Sequence, residues 1–147
     1  MVLNIRHTGI VVSDLKKESE FYRMLGFIEV STAIEEGQFI EEVTGIKDVK
    51  IEWIKMTAPD NNLIELIKYH SHPIDSNFEN SPSNKLGCSH VAFTVTDINQ
   101  FCEDIILAGG SIVNPPATSL DGKVKVAYCH DPEGVLLEIV EIIKDEE

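Results

Sequence analysis

The sequence predicts an α+β fold built from two β-α-β-β-β modules, and an internal repeat is the main reason. The segment His7–Leu15 returns 83 residues later as His90–Ile98, with the histidine, the small residue and the aspartate in matching places. A second segment, 59–66, returns 73 residues later as 132–139. Because two copies are too few for a solenoid, the repeat indicates two similar modules in one domain that covers residues 1–147.

Module one is predicted to span residues 4–70. A β-rich strand over 4–12 precedes a helix that Ser13 or Asp14 caps and Gly26 ends. Strands are expected over 27–33, 49–57 and 63–69. The acidic stretch 35–48 is interpreted as a loop with a short helix. Residues 71–85, rich in Pro, Ser and Asn, are predicted to be a linker.

Module two is predicted to span residues 86–143 in the same order. A strand over 86–95 leads to a helix that Asp97 caps and that Gly109 and Gly110 close. Strands follow over 111–114, 123–130 and 135–143, with a loop at 115–122. The acidic tail, 144–147, is expected to fray.

Composition excludes several kinds of partner. The chain has 12 basic and 25 acidic residues, a net charge of −13, which disfavours nucleic acid and anionic membrane surfaces. We find no apolar run long enough for a membrane span. Three cysteines without CxxC spacing, and a start unlike a signal peptide, predict reduced, partly buried thiols and a cytoplasmic location.

The candidate chemistry lies at the start and end of each module. Each opens with a strand histidine, His7 or His90, and closes with a glutamate inside an aliphatic strand, Glu65 or Glu138. A buried carboxylate is costly unless it is paired or binds a metal. Taken singly, a strand histidine is more often a hydrogen-bonded core residue, and a strand glutamate can face solvent. The repetition favours a metal site, whose mixed N/O ligands suit Ni, Co, Zn, Mn or Fe.

Three motifs carry a resemblance to a known family. They are the two openings at 7–15 and 90–98, the phrase at 21–27 (FYRMLGF), and the closing segment at 131–141 (DPEGVLLEIVE). Together they resemble the vicinal oxygen chelate superfamily of glyoxalases, epimerases, extradiol dioxygenases and resistance proteins. The resemblance implies paired βαβββ modules whose mixed sheets curl around a metal cup. It places His7, Glu65, His90 and Glu138 on the four metal-ligand positions.

The resemblance also favours some members over others. Extradiol dioxygenases lack a carboxylate at the position of Glu65, so that residue favours the isomerase and epimerase type. The step of 48 residues from His90 to Glu138 is similar to that of short glyoxalase I enzymes. Those enzymes hold glutathione through an Arg and an Asn, where this chain has Val11 and Tyr69. Methylmalonyl-CoA epimerases have a longer insertion before the last ligand, and CoA phosphates call for more basic residues.

These points predict a metal-dependent lyase or isomerase that transfers a proton next to a carbonyl of a small metal-chelating substrate. Glu138 is the favoured base and Glu65 the other candidate, by resemblance. The alternatives are an epimerase of the methylmalonyl-CoA type, an Fe(II) dioxygenase, and a non-catalytic binding or resistance protein. A homodimer is expected, with the site either within one chain or across two. His70 and His72 are interpreted as solvated linker residues rather than a second metal pair.

Overall fold

The computed structural model describes residues 1–73 and 80–143. The chain divides into two compact units, Met1–Ser76 and Asn77–Glu147. Residues 74–79 of the predicted linker 71–85 lie outside the described residues, as does the predicted frayed tail 144–147. The described parts of that linker contain no helix or strand.

The first unit holds one four-stranded mixed sheet. Its elements are β1 (Thr8–Val11), α1 (Leu15–Met24), β2 (Ile28–Glu36), α2 (Gln38–Thr44), β3 (Lys50–Thr57) and β4 (Leu63–Tyr69). The strand order is β1-β4-β3-β2, with β1 parallel to β4 and the other pairs antiparallel. The parallel pair needs a long connection, which the helices and strands between β1 and β4 provide.

The second unit repeats this arrangement. Its elements are β5 (Val91–Val95), α3 (Ile98–Leu107), β6 (Ser111–Ile112), β7 (Ala117–Thr118), β8 (Val124–His130) and β9 (Leu136–Ile142). The order is β5-β9-β8-β6, with β5 parallel to β9 and the short β7 also pairing with β8. The predicted α+β class, with two βαβββ modules and mixed sheets, is confirmed.

The main helices begin and end where the sequence predicts. The Asp14 carboxylate accepts the Lys17 N–H at 3.0 Å, and Asp97 accepts two backbone N–H groups at the start of α3. Gly26 follows α1 with a φ of +100°, a conformation that side-chain-bearing residues rarely adopt. The side chains that anchor α1 and α3 to their sheets are fully buried: Phe21, Tyr22, Ile98 and Ile105.

The first strand of each module is shorter than predicted. The prediction over 4–12 was wrong for residues 4–7, and the prediction over 86–95 was wrong for 86–90. A strand needs a hydrogen-bonded neighbour, and register with β4 starts only at Thr8↔Ile64, just after the turn that precedes β4. The same limit holds where Val91 pairs with Leu137. Both predicted ligand histidines therefore lie one residue before a strand.

The structure also differs from two smaller predictions. The loop predicted at 115–122 contains β7, whose two residues pair with Val126 and Lys125. Cys88 was expected to be buried and is exposed, whereas Cys102 and Cys129 are buried, and all three are free thiols. Among the described residues, no helix is both long and apolar enough to cross a membrane.

Candidate metal-binding site

In the first unit, the structure brings His7 and Glu65 together. Glu65 lies in the middle of β4, beside Gly9 of the parallel strand β1, so the small residue leaves room next to the carboxylate. His7 precedes β1, and its Nε2 lies 2.9 Å from Glu65 Oε2. The side chains keep 29% and 12% of their exposure, which places this predicted pair at the surface of a largely buried strand.

The second unit builds the same pair. Glu138 lies in the middle of β9 beside Ala92 of β5, in the register that Glu65 has with Gly9. His90 precedes β5, and its Nε2 lies 2.8 Å from Glu138 Oε2, with side-chain exposures of 30% and 22%. Two segments that share a repeat have thus folded into the same local geometry.

The neighbour across the sheet differs between the two pairs. Lys55 of β3 stands opposite Glu65, and its Nζ lies 3.5 Å from Glu65 Oε1 and 4.3 Å from the centroid of the Trp53 ring. Tyr128 of β8 stands opposite Glu138. The pKa of Tyr128 is raised, mainly by burial and then by the hydrogen bond to Glu138 and the negative charge of that carboxylate. One glutamate therefore faces a cation and the other a neutral hydroxyl donor.

The two histidines also differ at their second nitrogen. His90 Nδ1 lies 3.3 Å from Ser89 Oγ, and that hydroxyl donates to the Ser83 carbonyl at 2.8 Å. Since its proton is already given to Ser83, Ser89 Oγ is available as an acceptor for His90 Nδ1–H. His7 Nδ1 is buried and has no hydrogen-bond partner within residues 1–73 and 80–143. Only His90 has the outer partner that metal-binding histidines usually have.

The donor types of each pair, an imidazole nitrogen and a carboxylate oxygen, suit a divalent transition-metal ion. Nε2 and Oε2 lie 2.9 Å apart in the first unit and 2.8 Å apart in the second, which is also the spacing of a hydrogen bond between them. Within the described part of the chain, no three His, Cys, Asp or Glu side chains form a group that could hold a metal ion. The four predicted ligands therefore form two pairs, one in each unit.

Sequence reasoning did not assign three neighbours of these pairs to the site. Lys55 and Tyr128 each lie ten residues before the glutamate they face, so the 73-residue offset of the repeat relates them too. That offset is a signal that could have identified them. Ser89 has no such signal, because a serine beside a histidine is common in many contexts.

His70 forms a third pair, which the sequence did not predict. His70 Nε2 lies 2.7 Å from Glu52 Oε2, with exposures of 34% and 33%. The pair lies outside the repeated segments, so it shows that a histidine–glutamate contact alone does not mark a site. Neither residue of this pair has a counterpart of the same type in the second unit, because the 73-residue offset carries Glu52 onto Lys125.

Comparison with known proteins agrees with this duplicated architecture. The model of the glyoxalase/bleomycin resistance protein/dioxygenase superfamily matches residues 4–139. A probable lactoylglutathione lyase from Synechocystis sp. is 33% identical over 55 residues, which are 37% of this chain and 42% of that protein. The match thus spans less than half the length of this relative.

Similar solved structures cover nearly the whole chain. A glyoxalase family protein from Bacillus cereus has a TM-score of 0.90 at 26% identity, with 98% of this chain and 97% of that chain covered. A glyoxalase I variant from Zea mays has a TM-score of 0.63 at 19% identity and covers 92% of this chain and 44% of that chain. At that identity, the maize likeness concerns the fold alone.

Proposed function

Because the chain belongs to the glyoxalase/bleomycin resistance protein/dioxygenase superfamily, we propose that it is a metal-dependent lyase or isomerase. Its substrate is a small molecule that chelates the metal, and its reaction moves a proton next to a carbonyl group. The superfamily includes enzymes of several reaction types, so the fold leaves the choice to the residues of the site.

The observation that carries the proposal is the duplicated His–Glu pair. His7 with Glu65, and His90 with Glu138, have the same register and nearly the same N–O distance in two units. Chance placement of solvated residues would not reproduce both features. The second carboxylate, Glu65, also favours a four-ligand site over the two-His, one-Glu set expected for a dioxygenase.

We assign His7, Glu65, His90 and Glu138 as the residues that would hold the ion. A bound divalent ion supplies Lewis acidity, which polarises the substrate oxygens and stabilises charge that develops on them. Two imidazoles and two carboxylates suit Ni, Co, Zn, Mn or Fe better than Ca or Mg. With an ion at Nε2 of His90, the ring proton would lie on Nδ1, where Ser89 Oγ can accept it and orient the ring.

The contacts of the two carboxylates support different roles. Lys55 lies against one oxygen of Glu65 and His7 against the other, so this side chain is held from both sides. Glu138 is more exposed and has the neutral hydroxyl of Tyr128 beside it instead of a cation. Glu138 is therefore the residue that can more easily move, take the proton from the substrate carbon and return it.

Glutathione is not part of the proposal. At the places where the resemblance expects an Arg and an Asn, this chain has Val11 and Tyr69. Val11 is an exposed apolar side chain, and Tyr69 packs against the buried cluster of Ile40, Val49 and Ile51. Neither offers a charge or an amide to a peptide co-substrate. The likeness to a probable lactoylglutathione lyase covers 37% of this chain, too little to bring that co-substrate into the proposal.

Metal content is the first test. Protein purified without added metal or chelator should carry a tightly held Ni, Co, Zn, Mn or Fe ion, measured by mass spectrometry of the digested protein. Glu65→Ala should lose it, because a carboxylate ligand is removed. Glu52→Ala is the matched control, since Glu52 makes the same kind of contact to His70 and should leave the metal unchanged. Equal metal in all three proteins, or none in a folded wild type, would contradict the site.

Proton exchange is the second test. The metal-loaded protein should exchange the C–H next to a carbonyl with deuterated water, measured by NMR on a panel of 2-oxo and 2-hydroxy carbonyl compounds. Glu138→Gln should slow exchange roughly 100- to 10,000-fold, the usual contribution of a general base, while metal stays bound. Oxygen consumption by an iron-loaded protein, with no exchange, would instead support a dioxygenase.

The quaternary state and location remain predictions. A homodimer is expected, and light scattering on a sizing column measures it directly. A cytoplasmic location is expected from the reduced cysteines, and fractionation of cells that express the tagged chain would check it.

A further inference from the structure

A cavity of about 380 Å³ lies beside His7 in the first unit. Its volume is in the range of sites for small molecules. It is half open to solvent, and its lining residues are Asn4, Ile5, Arg6, His7, Lys55 and Leu63. The cavity therefore adjoins one of the two predicted metal pairs and contains a pair of basic side chains.

The two basic side chains that line the cavity, Arg6 and Lys55, differ in their acidic partners. Lys55 Nζ lies 3.5 Å from Glu65 Oε1. Arg23, the other arginine, lies 3.5 Å from Glu29. Arg6 has no acidic side chain within ion-pair distance among the residues that the structure describes. An arginine on a cavity wall, without a protein carboxylate, is available to a carboxylate from solution.

Lys55 also lines the cavity. The Glu65 carboxylate and the Trp53 ring fix its ammonium group, and only about a quarter of the side chain is exposed. An ammonium group has three N–H donors, so the contact with Glu65 leaves others to point elsewhere. The ligand would thus meet a pre-positioned cation without the entropic cost of ordering a long side chain.

We propose that this cavity binds the carboxylate of a small anionic substrate, with Arg6 and Lys55 as its recognition residues. Arginine presents a planar fork of donors that matches a carboxylate, which favours a carboxylic acid as the ligand. Leu63 gives the cavity apolar wall for a short carbon chain, and Ile5, which is 88% exposed, adds apolar surface beside it. This proposal rests on the proposed function. The substrate of the enzyme would then be a small carbonyl-containing carboxylic acid.

Binding of a matched pair of probes tests this inference. Pyruvate has a negative carboxylate, whereas its methyl ester is neutral and one methyl group larger, and calorimetry measures both affinities on the protein as purified and after metal removal. Wild type should bind pyruvate at least about tenfold more tightly than the ester, as expected for charge-assisted hydrogen bonds. The preference should persist without metal, because Arg6 and Lys55 supply it.

Substitutions test which residues cause the preference for pyruvate over its methyl ester. Arg6→Gln and Lys55→Met should each remove most of it, and Lys55→Arg should keep it. Lys125→Gln is the matched control: Lys125 also faces a glutamate across paired strands, at 3.8 Å from Glu141, but lies in the second unit. Arg6 is exposed, so Arg6→Gln stays folded and keeps the test decisive if Lys55→Met unfolds.

The outcomes separate this inference from the proposed function. Equal affinity for both probes in wild type, or an unchanged preference in Arg6→Gln, overturns the carboxylate site even where metal-dependent proton exchange is observed. A preference that Arg6→Gln removes supports the site, even if no substrate exchanges its protons and the proposed function fails.

Discussion

At the scale of single residues, the two histidines are not equally well prepared to bind a metal ion. His90 can pass its Nδ1–H to Ser89, whereas the buried Nδ1 of His7 has no described partner. A metal bound at Nε2 requires the proton on Nδ1, so an acceptor there stabilises the bound state. His90 is thus better prepared than His7 to bind a metal ion.

Ser89→Ala tests this difference. The substitution removes the acceptor for His90 Nδ1–H, and metal affinity should fall about 10- to 100-fold, the usual effect of losing such a partner. Competition with a chromogenic chelator measures the change. Ser111→Ala, at an exposed serine of β6 in the same unit, should leave metal affinity unchanged. Equal affinity in wild type and Ser89→Ala would show that His90 is positioned without the serine.

At the scale of elements, the comparison of β1 with β5 indicates that alanine can replace Gly9. Gly9 stands opposite Glu65, and Ala92 occupies the matching place opposite Glu138. A Cβ added at Gly9 would lie 3.6 Å from Ile67 Cδ1, an ordinary contact. The backbone at Gly9 is not in the left-handed region. The position therefore needs a small residue rather than a glycine.

Gly9→Ala should stabilise the protein by about 0.4–1 kcal/mol, because alanine restricts the unfolded chain more than glycine does. Urea unfolding followed by circular dichroism measures the free energy of unfolding. Gly26→Ala is the contrasting variant, since the φ of +100° at Gly26 strains any side chain. It should destabilise by about 1–2 kcal/mol. A loss of stability in Gly9→Ala would mean that the Glu65 region tolerates no added methyl group.

At the scale of elements, the sequence correctly predicted the helix caps and strands that depend on nearby residues. The caps at Asp14 and Asp97, and the closing strand β4, follow from residue types and periodicity within a few positions. Strand length depends on pairing instead. Residues 4–7 have a β-rich sequence but no partner, because β4 begins only at Leu63. For the same reason β7 was missed, since its two residues become a strand only by pairing with β8.

The candidate site shows a similar division between local and long-range information. The repeat alone predicted His7, Glu65, His90 and Glu138, and the structure pairs them within each unit. Contacts that the repeat does not conserve in residue type were missed, because Lys55 and Tyr128 share a position but not a chemistry. The difference between the two glutamates therefore depends on positions ten residues before them, which lie outside the repeated motifs.

For the whole molecule, the buried thiols link stability to pH. Burial, followed by the neighbouring Cys102 and Asp131, raises the pKa of Cys129 from 9.0 to about 12, and burial also raises the pKa of Cys102. In the unfolded chain both thiols ionise near their ordinary value, while the folded protein keeps them protonated. The stability that this protonation provides is complete below pH 9 and is lost as pH rises from 9 toward 12.

Unfolding in urea at a series of pH values should therefore show a stability that falls above pH 9. Each buried thiol contributes at most about 1.4 kcal/mol per pH unit to that fall. The pKa of Tyr128 is also raised, so the informative quantity is the difference between variants. Cys129→Ala should fall less steeply than wild type between pH 9 and 11, because the variant has lost the group that ionises only on unfolding. Cys88→Ala, at an exposed thiol, should keep the wild-type slope. Parallel slopes in wild type and Cys129→Ala would mean that Cys129 ionises equally well in the folded and unfolded chains.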